Sequence, residues 1–302
     1  MVMKIFQFDY QHTPINIEKT VLCLGFFDGV HIGHQSMIQQ AKEEGYKVSV
    51  LTFDESPAFV LGRIKENHYL TSVSDKAEIL EGLGVDYLYI MTFDREVANL
   101  TKDEFINKVI RPLNPVKIYC GEDYTFGVRG EGTPFYLSLM FDIKVIDTML
   151  EKGKKVSARD ISKLIEQGDI ELANKLLGRP FRINGLVVEG KHNGQKIDFP
   201  TANLKLDYPY AFPKTGVYFG FAYVDDLKYK AIVSVGTHPT IMRLEKPIIE
   251  VHIIDFDGMI YEKDIFVELL YYHRDEKIFD SVDGLKEQLK KDRLSAIKKL
   301  RL

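Results

Sequence analysis

The stretch GFFDGVHIGH, Gly25 to His34, places His31 and His34 three residues apart, beside Asp28 and the glycines Gly25, Gly29 and Gly33. It directly follows the apolar run TVLCL. Glycines between a strand and a helix let the backbone approach a phosphate, and the helix start then offers free N–H groups and a partial positive charge. Two imidazoles in the same concavity add side-chain donors. Such a set stabilises charge on a phosphoryl group in transfer without a covalent intermediate. A zinc site would use the same histidines, but no third ligand stands at a suitable spacing.

A second group of reactive residues lies far along the chain. In PTAN, the Thr201 hydroxyl and the Asn203 carbonyl are hard oxygen donors suited to Mg²⁺ bridging the phosphates of ATP. Gly190 and Gly194 flank a polar turn able to close over nucleotide phosphates, although no GxxxxGK[ST] loop is present. Glu250 sits beside His252 in an alternating strand, where a carboxylate can take a proton from a substrate hydroxyl.

Different elements must position these two groups. From about residue 20 to 150, fully apolar runs such as KVSVLTF and DYLYIMTF alternate with helical patterns such as HQSMIQQAK and SDKAEILEGL. That βα repeat implies a parallel sheet covered on both faces, with ligands at the C-terminal ends of its strands. Thr101 and Glu104 form a capping box, and Pro112 is expected to close the helix it opens. After residue 183 the period changes to that of hairpins. GVYFGFAYV and LKYKAIVSVG join across Asp225-Asp226, and IIEVHIIDF is expected to meet YEKDIFVELLYY at a type I′ turn on Asp257-Gly258. An antiparallel barrel or sandwich follows, ended by a helix starting near Ser281. Two short helices, broken at Gly168 and stopped by Gly178 and Pro180, lie between the halves. The expected domains are 1–180 and 181–302.

The totals set bounds on partners and location. A chain of 302 residues has room for about two cores. A net charge of −4 supplies no global field for nucleic acid, and no apolar run is long enough to span a bilayer. The start MVMKIFQFDYQH lacks the features of a secretory signal, so the expected location is the cytoplasm. Cys23 and Cys120 sit in apolar runs and read as small core residues. The basic C-terminal stretch carries Leu289, Ile297 and Leu300 at helical spacing and reads as the solvated face of a packed helix. The oligomeric state is left open.

GFFDGVHIGH resembles the GxFDGxHxGH signature of the HxGH nucleotidyltransferase superfamily, whose members join a nucleotide to a phosphate and expel pyrophosphate. VVEGKHNGQKIDFPTANL, FPKTGVYFG, VSVGTHPTI and the run from IEVHIIDF to KEQLKKD resemble riboflavin kinase in order and extent. Together the halves resemble the bacterial bifunctional riboflavin kinase/FMN adenylyltransferase, or FAD synthetase, family over essentially the whole chain. The resemblance implies a Rossmann-like N-terminal unit and a C-terminal kinase barrel. It implies that ATP phosphorylates riboflavin to FMN and then adenylylates FMN to FAD, both with Mg²⁺. His31 and His34 would stabilise phosphate charge, and Gly25, Phe26, Phe27, Asp28, Gly29, Gly33, Ser157, Arg159, Gly190 and Gly194 would hold nucleotide. Asp123, Phe126 and Arg274 would meet flavin, Thr201 and Asn203 the metal, and Glu250 would be the base.

The sequence departs from the family pattern in places. TFxPHP is TFDESP, with Glu55 and Ser56 in place of Pro and His, whereas GxDFxFG survives as GEDYTFG. ISSTxIR aligns with Val156 to Ser162, so the Thr has become Arg159 and the Arg has become Ser162. GFPTAN begins with Asp198, GTNPT has His238, and Tyr261-Glu262 replaces YG. Slow adenylylation relative to phosphorylation is therefore expected. A kinase with a weak or inactive adenylyltransferase unit and a non-catalytic flavin- or nucleotide-binding regulator remain open alternatives.

Overall fold

The computed structural model describes residues 2–147, 149–151, 154–189, 199–236 and 248–301. Gly190, Gly194, Asp198 and His238 lie outside the described residues. The chain divides into two compact units, Met1–Asn67 with Thr71–Ala158, and His68–Leu70 with Arg159–Leu302.

The first unit is built on parallel strands β1 (Lys4–Phe8), β2 (Thr20–Leu24), β3 (Lys47–Phe53), β4 (Tyr87–Met91), β5 (Pro115–Gly121) and β6 (Ile143–Ile146), in the order β1-β4-β3-β2-β5-β6. Every residue of β2 and β4 is buried, as expected for strands covered on both faces. Alternate residues feed two cores. Val21, Cys23, Val48 and Val50 pack with Met37, Ile38 and Ala41 of helix α1 (Ile32–Lys42) and with Leu80 further on. Leu22, Leu24, Leu51 and Tyr89 pack with Val97, Phe105, Val109 and Leu137 on the opposite face. Short helices α2 (Pro57–Val60), α4 (Arg95–Ala98), α5 (Lys102–Phe105) and α6 (Pro134–Ser138) and the longer α3 (Val73–Gly82) complete the layers. Strand β2 has β3 on one side and β5 on the other, so the chain changes direction across the sheet at β2, and crevices of this kind receive ligands. The GFFDG loop leaves β2 there. The hairpin strands β7 (Leu150–Glu151) and β8 (Lys154–Lys155) follow β6.

Two local expectations are corrected here. Thr101 does form the capping box with Glu104. However, Pro112 does not close that helix: the backbone continues through a wide turn at Ile106–Ile110 and a tight one at Arg111–Leu113, and ends at Asn114, whose φ is 54°. Proline fits the opening turn of the tight segment because its missing N–H is not needed there. Strand β1, absent from the expected elements, pairs with β4 at the sheet edge.

The second unit begins with α7 (Ala158–Gln167) and α8 (Ile170–Leu177), the latter ended by Gly178 at φ 72°. Strands β9 (Phe181–Val188), β10 (Ala202–Lys205), β11 (Gly216–Val224), β12 (Leu227–Gly236), β13 (Ile248–Ile253) and β14 (Asp264–Arg274) close into a barrel in the order β10-β13-β12-β11-β14-β9. Helix α9 (Val282–Lys299), capped by Ser281, lays Leu289, Ala296, Ile297 and the following Leu300 on a barrel-side core. The β11–β12 hairpin turns on Asp225 and Asp226, both at positive φ, as a type I′ turn requires.

The second expected hairpin is not formed. β13 pairs with β10 and β12, and β14 with β11 and β9, so both edges of each strand are taken and the two do not meet. Asp257-Gly258 instead lies within a ten-residue connection between Ile253 and Asp264. An Asp-Gly pair directs a hairpin only when strands flank it directly.

β11 and β14 pack closely at a bulge beside Gly220, where a Cβ would collide with the Glu268 carbonyl oxygen. Gly220→Ala is expected to destabilise the barrel by about 2–3 kcal/mol. The measurement is the urea midpoint of the second unit's transition at unchanged slope; an unaltered midpoint would show that the bulge opens at no cost.

Candidate active sites

In the first unit, a cavity of about 390 Å³ opens at the end of β2 and is lined by Gly25, Phe26, Phe27, Asp28, His31, Gly33 and His34, together with Asp123, Lys155 and Ser157. The expected loop residues other than Gly29 therefore come to one place. The loop is unusually bent: Phe27, Gly29 and Val30 have φ of 55°, 70° and 38°. Left-handed backbone is costly for residues with a Cβ, most of all a β-branched one. Polar contacts hold the bend. The Asp28 carboxylate accepts from Thr71 N at 3.3 Å, and the Thr71 hydroxyl accepts from Gly29 N at 3.1 Å.

His31 caps the start of α1 and His34 stands one turn on, so both rings meet at the helix N-terminus, stacked 3.8 Å apart at 18°. Gly33 makes room for this, since a Cβ there would press on the His31 ring at 3.2 Å. Burial first, then the neighbouring His31 and Lys76, pull the His34 pKa well below its usual value. At neutral pH His34 is thus an uncharged N–H donor, suited to polarising an oxygen without forming a fixed ion pair.

Asp123 is exposed at the cavity and pairs with Lys155 at 2.8 Å. A second cavity, sharing Phe53, Pro57 and Thr125 with the first, is lined by Phe93, Phe105 and Phe126. Phe126 is buried, and Gly132 lies so close that any Cβ would strike its ring. Arg159 falls in the second unit, exposed on the first turn of α7.

In the second unit, Asn203 and Glu250 are directly opposed across the β10–β13 ladder. Thr201 lies just before that ladder and lines two cavities. One is shared with Val187, Ala202, Val251 and the 256–261 connection; the other holds Glu250, His252, Ser234, Arg274 and Asp292. The connection misread as a hairpin is thus one wall of a cavity. His252 fixes the approach to Thr201: its Nδ1 donates to Pro200 O at 2.9 Å and its ring stacks on Phe199 at 3.7 Å. Burial first lowers the His252 pKa, against the bond to Pro200.

The residue that sequence reasoning missed is Asp292. Its side chain is 1% exposed and receives Arg274 Nη2 at 2.7 Å, with Gln288 and His273 also on its carboxylate. Arg274 is therefore held in a largely buried ion pair at the cavity wall. A signal existed, since Leu289, Asp292, Ala296 and Leu300 share one helical stripe and only one of them is charged.

A parallel α/β unit carrying a glycine-rich histidine loop, joined to a six-stranded barrel with opposed amide and carboxylate, defines a two-unit enzyme of phosphate chemistry. Residues 13–160 match the FAD synthetase family model and residues 177–300 the riboflavin kinase model. The bifunctional riboflavin kinase/FMN adenylyltransferase of Bacillus subtilis is 39% identical, covering 98% of both chains. The Escherichia coli K12 protein of the same description is 34% identical, covering 92% of both. A Streptococcus pneumoniae crystal structure described as a macrolide-efflux protein superposes with a TM-score of 0.91 at 32% identity, covering 99% of this chain and 100% of that one. The chain belongs to the bifunctional riboflavin kinase/FMN adenylyltransferase family.

The Asp292 pair carries a pH dependence. Burial alone would raise the carboxyl pKa, but the bonds from Arg274 and Gln288 outweigh it and leave it below the usual range. A depressed acid stabilises the fold above its unfolded pKa of about 3.9 and loses that contribution as pH falls through the folded value. Asp292→Asn is expected to lose about 3–5 kcal/mol at pH 7, since it strands a buried guanidinium. The mutant's stability should also fall less steeply than the parent's below about pH 4. Parallel acid titrations of stability in the two proteins would contradict this assignment.

Proposed function

We propose that the barrel transfers the γ-phosphoryl group of ATP to the terminal hydroxyl of riboflavin, and that the first unit joins the resulting FMN to the adenylyl group of a second ATP. The observation that carries the kinase step is that Thr201 borders two adjoining cavities, one of which holds Glu250, with Asn203 opposite Glu250 across the β10–β13 ladder. One cavity takes the nucleotide and the other, walled by Phe199, Leu289 and the Asp292-held Arg274, takes the flavin. Glu250 accepts the hydroxyl proton as the oxygen attacks phosphorus. On this reading Gly190 and Gly194 contribute to nucleotide binding.

The oxygens of Thr201 and Asn203 are neutral and hard, and Thr201 borders both cavities. That donor set fits Mg²⁺ arriving with ATP, whose phosphates supply the negative ligands. When bound, the cation offsets charge on the transferring group.

In the first unit, an FMN phosphate oxygen attacks the α-phosphorus of ATP and pyrophosphate leaves. The loop Gly25 to Val30, His31, His34 and Ser157 stabilise the added charge, with Asp123 and Phe126 on the flavin side. Ser162 stands where the family pattern has an arginine. A one-hydroxyl residue in place of a guanidinium makes this the slower step. No helix among the described residues is long and apolar enough to cross a membrane.

With riboflavin, ATP and Mg²⁺, chromatography should show FMN accumulating ahead of FAD. Glu250→Gln should cut FMN formation by about 10²–10⁴-fold with riboflavin binding retained. A loss below about tenfold would remove Glu250 from proton transfer.

A further inference from the structure

Lys76 is a buried lysine with no part in the chemistry described so far. It projects from α3 in the first unit and is 3% exposed. Its Nζ donates to Phe26 O at 2.8 Å and to Thr52 Oγ1 at 3.2 Å, while Thr52 Oγ1 itself donates to Phe26 O at 2.7 Å. The ammonium also lies 4.4 Å from the centre of the Phe26 ring. A single carbonyl in the bent loop is thus gripped by two donors, one of them charged.

We propose that Lys76 is a positioning residue for adenylyl transfer, locking the Phe26–Phe27 peptide so that the loop presents no carbonyl to the phosphates and stands over a fixed positive charge. The inference rests on the first-unit reaction proposed above. Phe26 lines the cavity, but neither Lys76 nor Thr52 does, so the gripped oxygen is turned away from it. In a planar trans peptide the N–H edge then faces the opposite way. A carbonyl dipole aimed at an anion would repel it, and one extra charge in a water-poor site acts strongly on phosphate oxygens.

The helix that bears Lys76 is itself tied to the loop. Ser72 caps α3 in a capping box with Asp75, and the adjoining Thr71 bonds Asp28 and Gly29. Lys76 follows one turn later, so one rigid element holds the loop at both Phe26 and Asp28.

The charge is finely balanced. Burial first lowers the Lys76 pKa to about 8, against the attraction of Asp28 and Asp54. His34 is the other titratable group coupled to it, and it stays neutral above pH 7. Below about pH 8 the lysine is protonated and grips; above it the grip weakens.

The test uses the full chain with FMN, ATP and Mg²⁺ supplied, and scores FAD. Lys76→Met keeps the stem and removes the ammonium. Its kcat/KM for ATP should fall about 100-fold, with FMN formation from riboflavin unchanged. The parent's kcat/KM for ATP should decline above about pH 8, and the residual activity of the mutant should show no such limb. If Lys76→Met fails to fold, Thr52→Val should lower kcat/KM for ATP in the same direction by about tenfold. FAD formation by Lys76→Met within threefold of the parent, an unchanged Thr52→Val, or a parent profile flat from pH 7 to 10 overturns the inference. A parent that forms no FAD at all would instead overturn the proposed reaction.

Discussion

The backbone of Phe27 and Val30 is left-handed although both residues carry side chains, and conformations of that kind cost on the order of 1–3 kcal/mol each. Such a loop persists only if its surroundings leave it no alternative. Here they are the fully buried strand that feeds it, the Thr71 contacts to Asp28 and Gly29, and the ammonium beneath Phe26. The arrangement of the first unit follows from that need. The sheet changes direction at β2 so that the loop meets a crevice, α1 begins where the loop ends, and α3 packs where it can hold the loop from behind. Ordering these dipoles before a ligand arrives removes reorganisation from the reaction step.

The barrel meets a similar demand by different means. Its proposed reactive groups Asn203 and Glu250 lie on strands, whose register sets one against the other without any strained turn. What needs support is the periphery of the cavity. His252 ties the segment before Thr201 to the strand that carries Glu250, and Asp292 ties Arg274 to the C-terminal helix. The barrel closes, each described strand pairing with a neighbour on either side.

How much of this could be read from the sequence depended on whether a residue's role shows in its neighbours. GFFDGVHIGH stood between an apolar run and a helical pattern, so its place at the end of β2 followed from order alone. The period change near residue 183 likewise announced the barrel, and Asp225-Asp226 its first hairpin. Asp257-Gly258 misled because turn chemistry is local and strand pairing is not: β13 had already found both partners. Strand β1 was missed because KIFQF is short and mostly exposed at a sheet edge. Lys76 and Asp292 each sit in helices rich in charge, where one more charged residue reads as surface. Their burial is a tertiary fact, set by what the helix lies against. Arg274 was found by resemblance, but the partner that orients it was not.

Two reactions are proposed for two units, linked by a product that leaves one site for the other. Mixing two disabled chains tests this most directly. Glu250→Gln should make FAD from FMN but not from riboflavin, and His34→Ala should stop at FMN. Combined with riboflavin, ATP and Mg²⁺, they should restore FAD synthesis, because FMN released by one barrel serves the other protein's intact first unit. If the mixture makes no FAD although each variant performs its remaining step alone, the two units do not act as independent catalysts and the account is wrong.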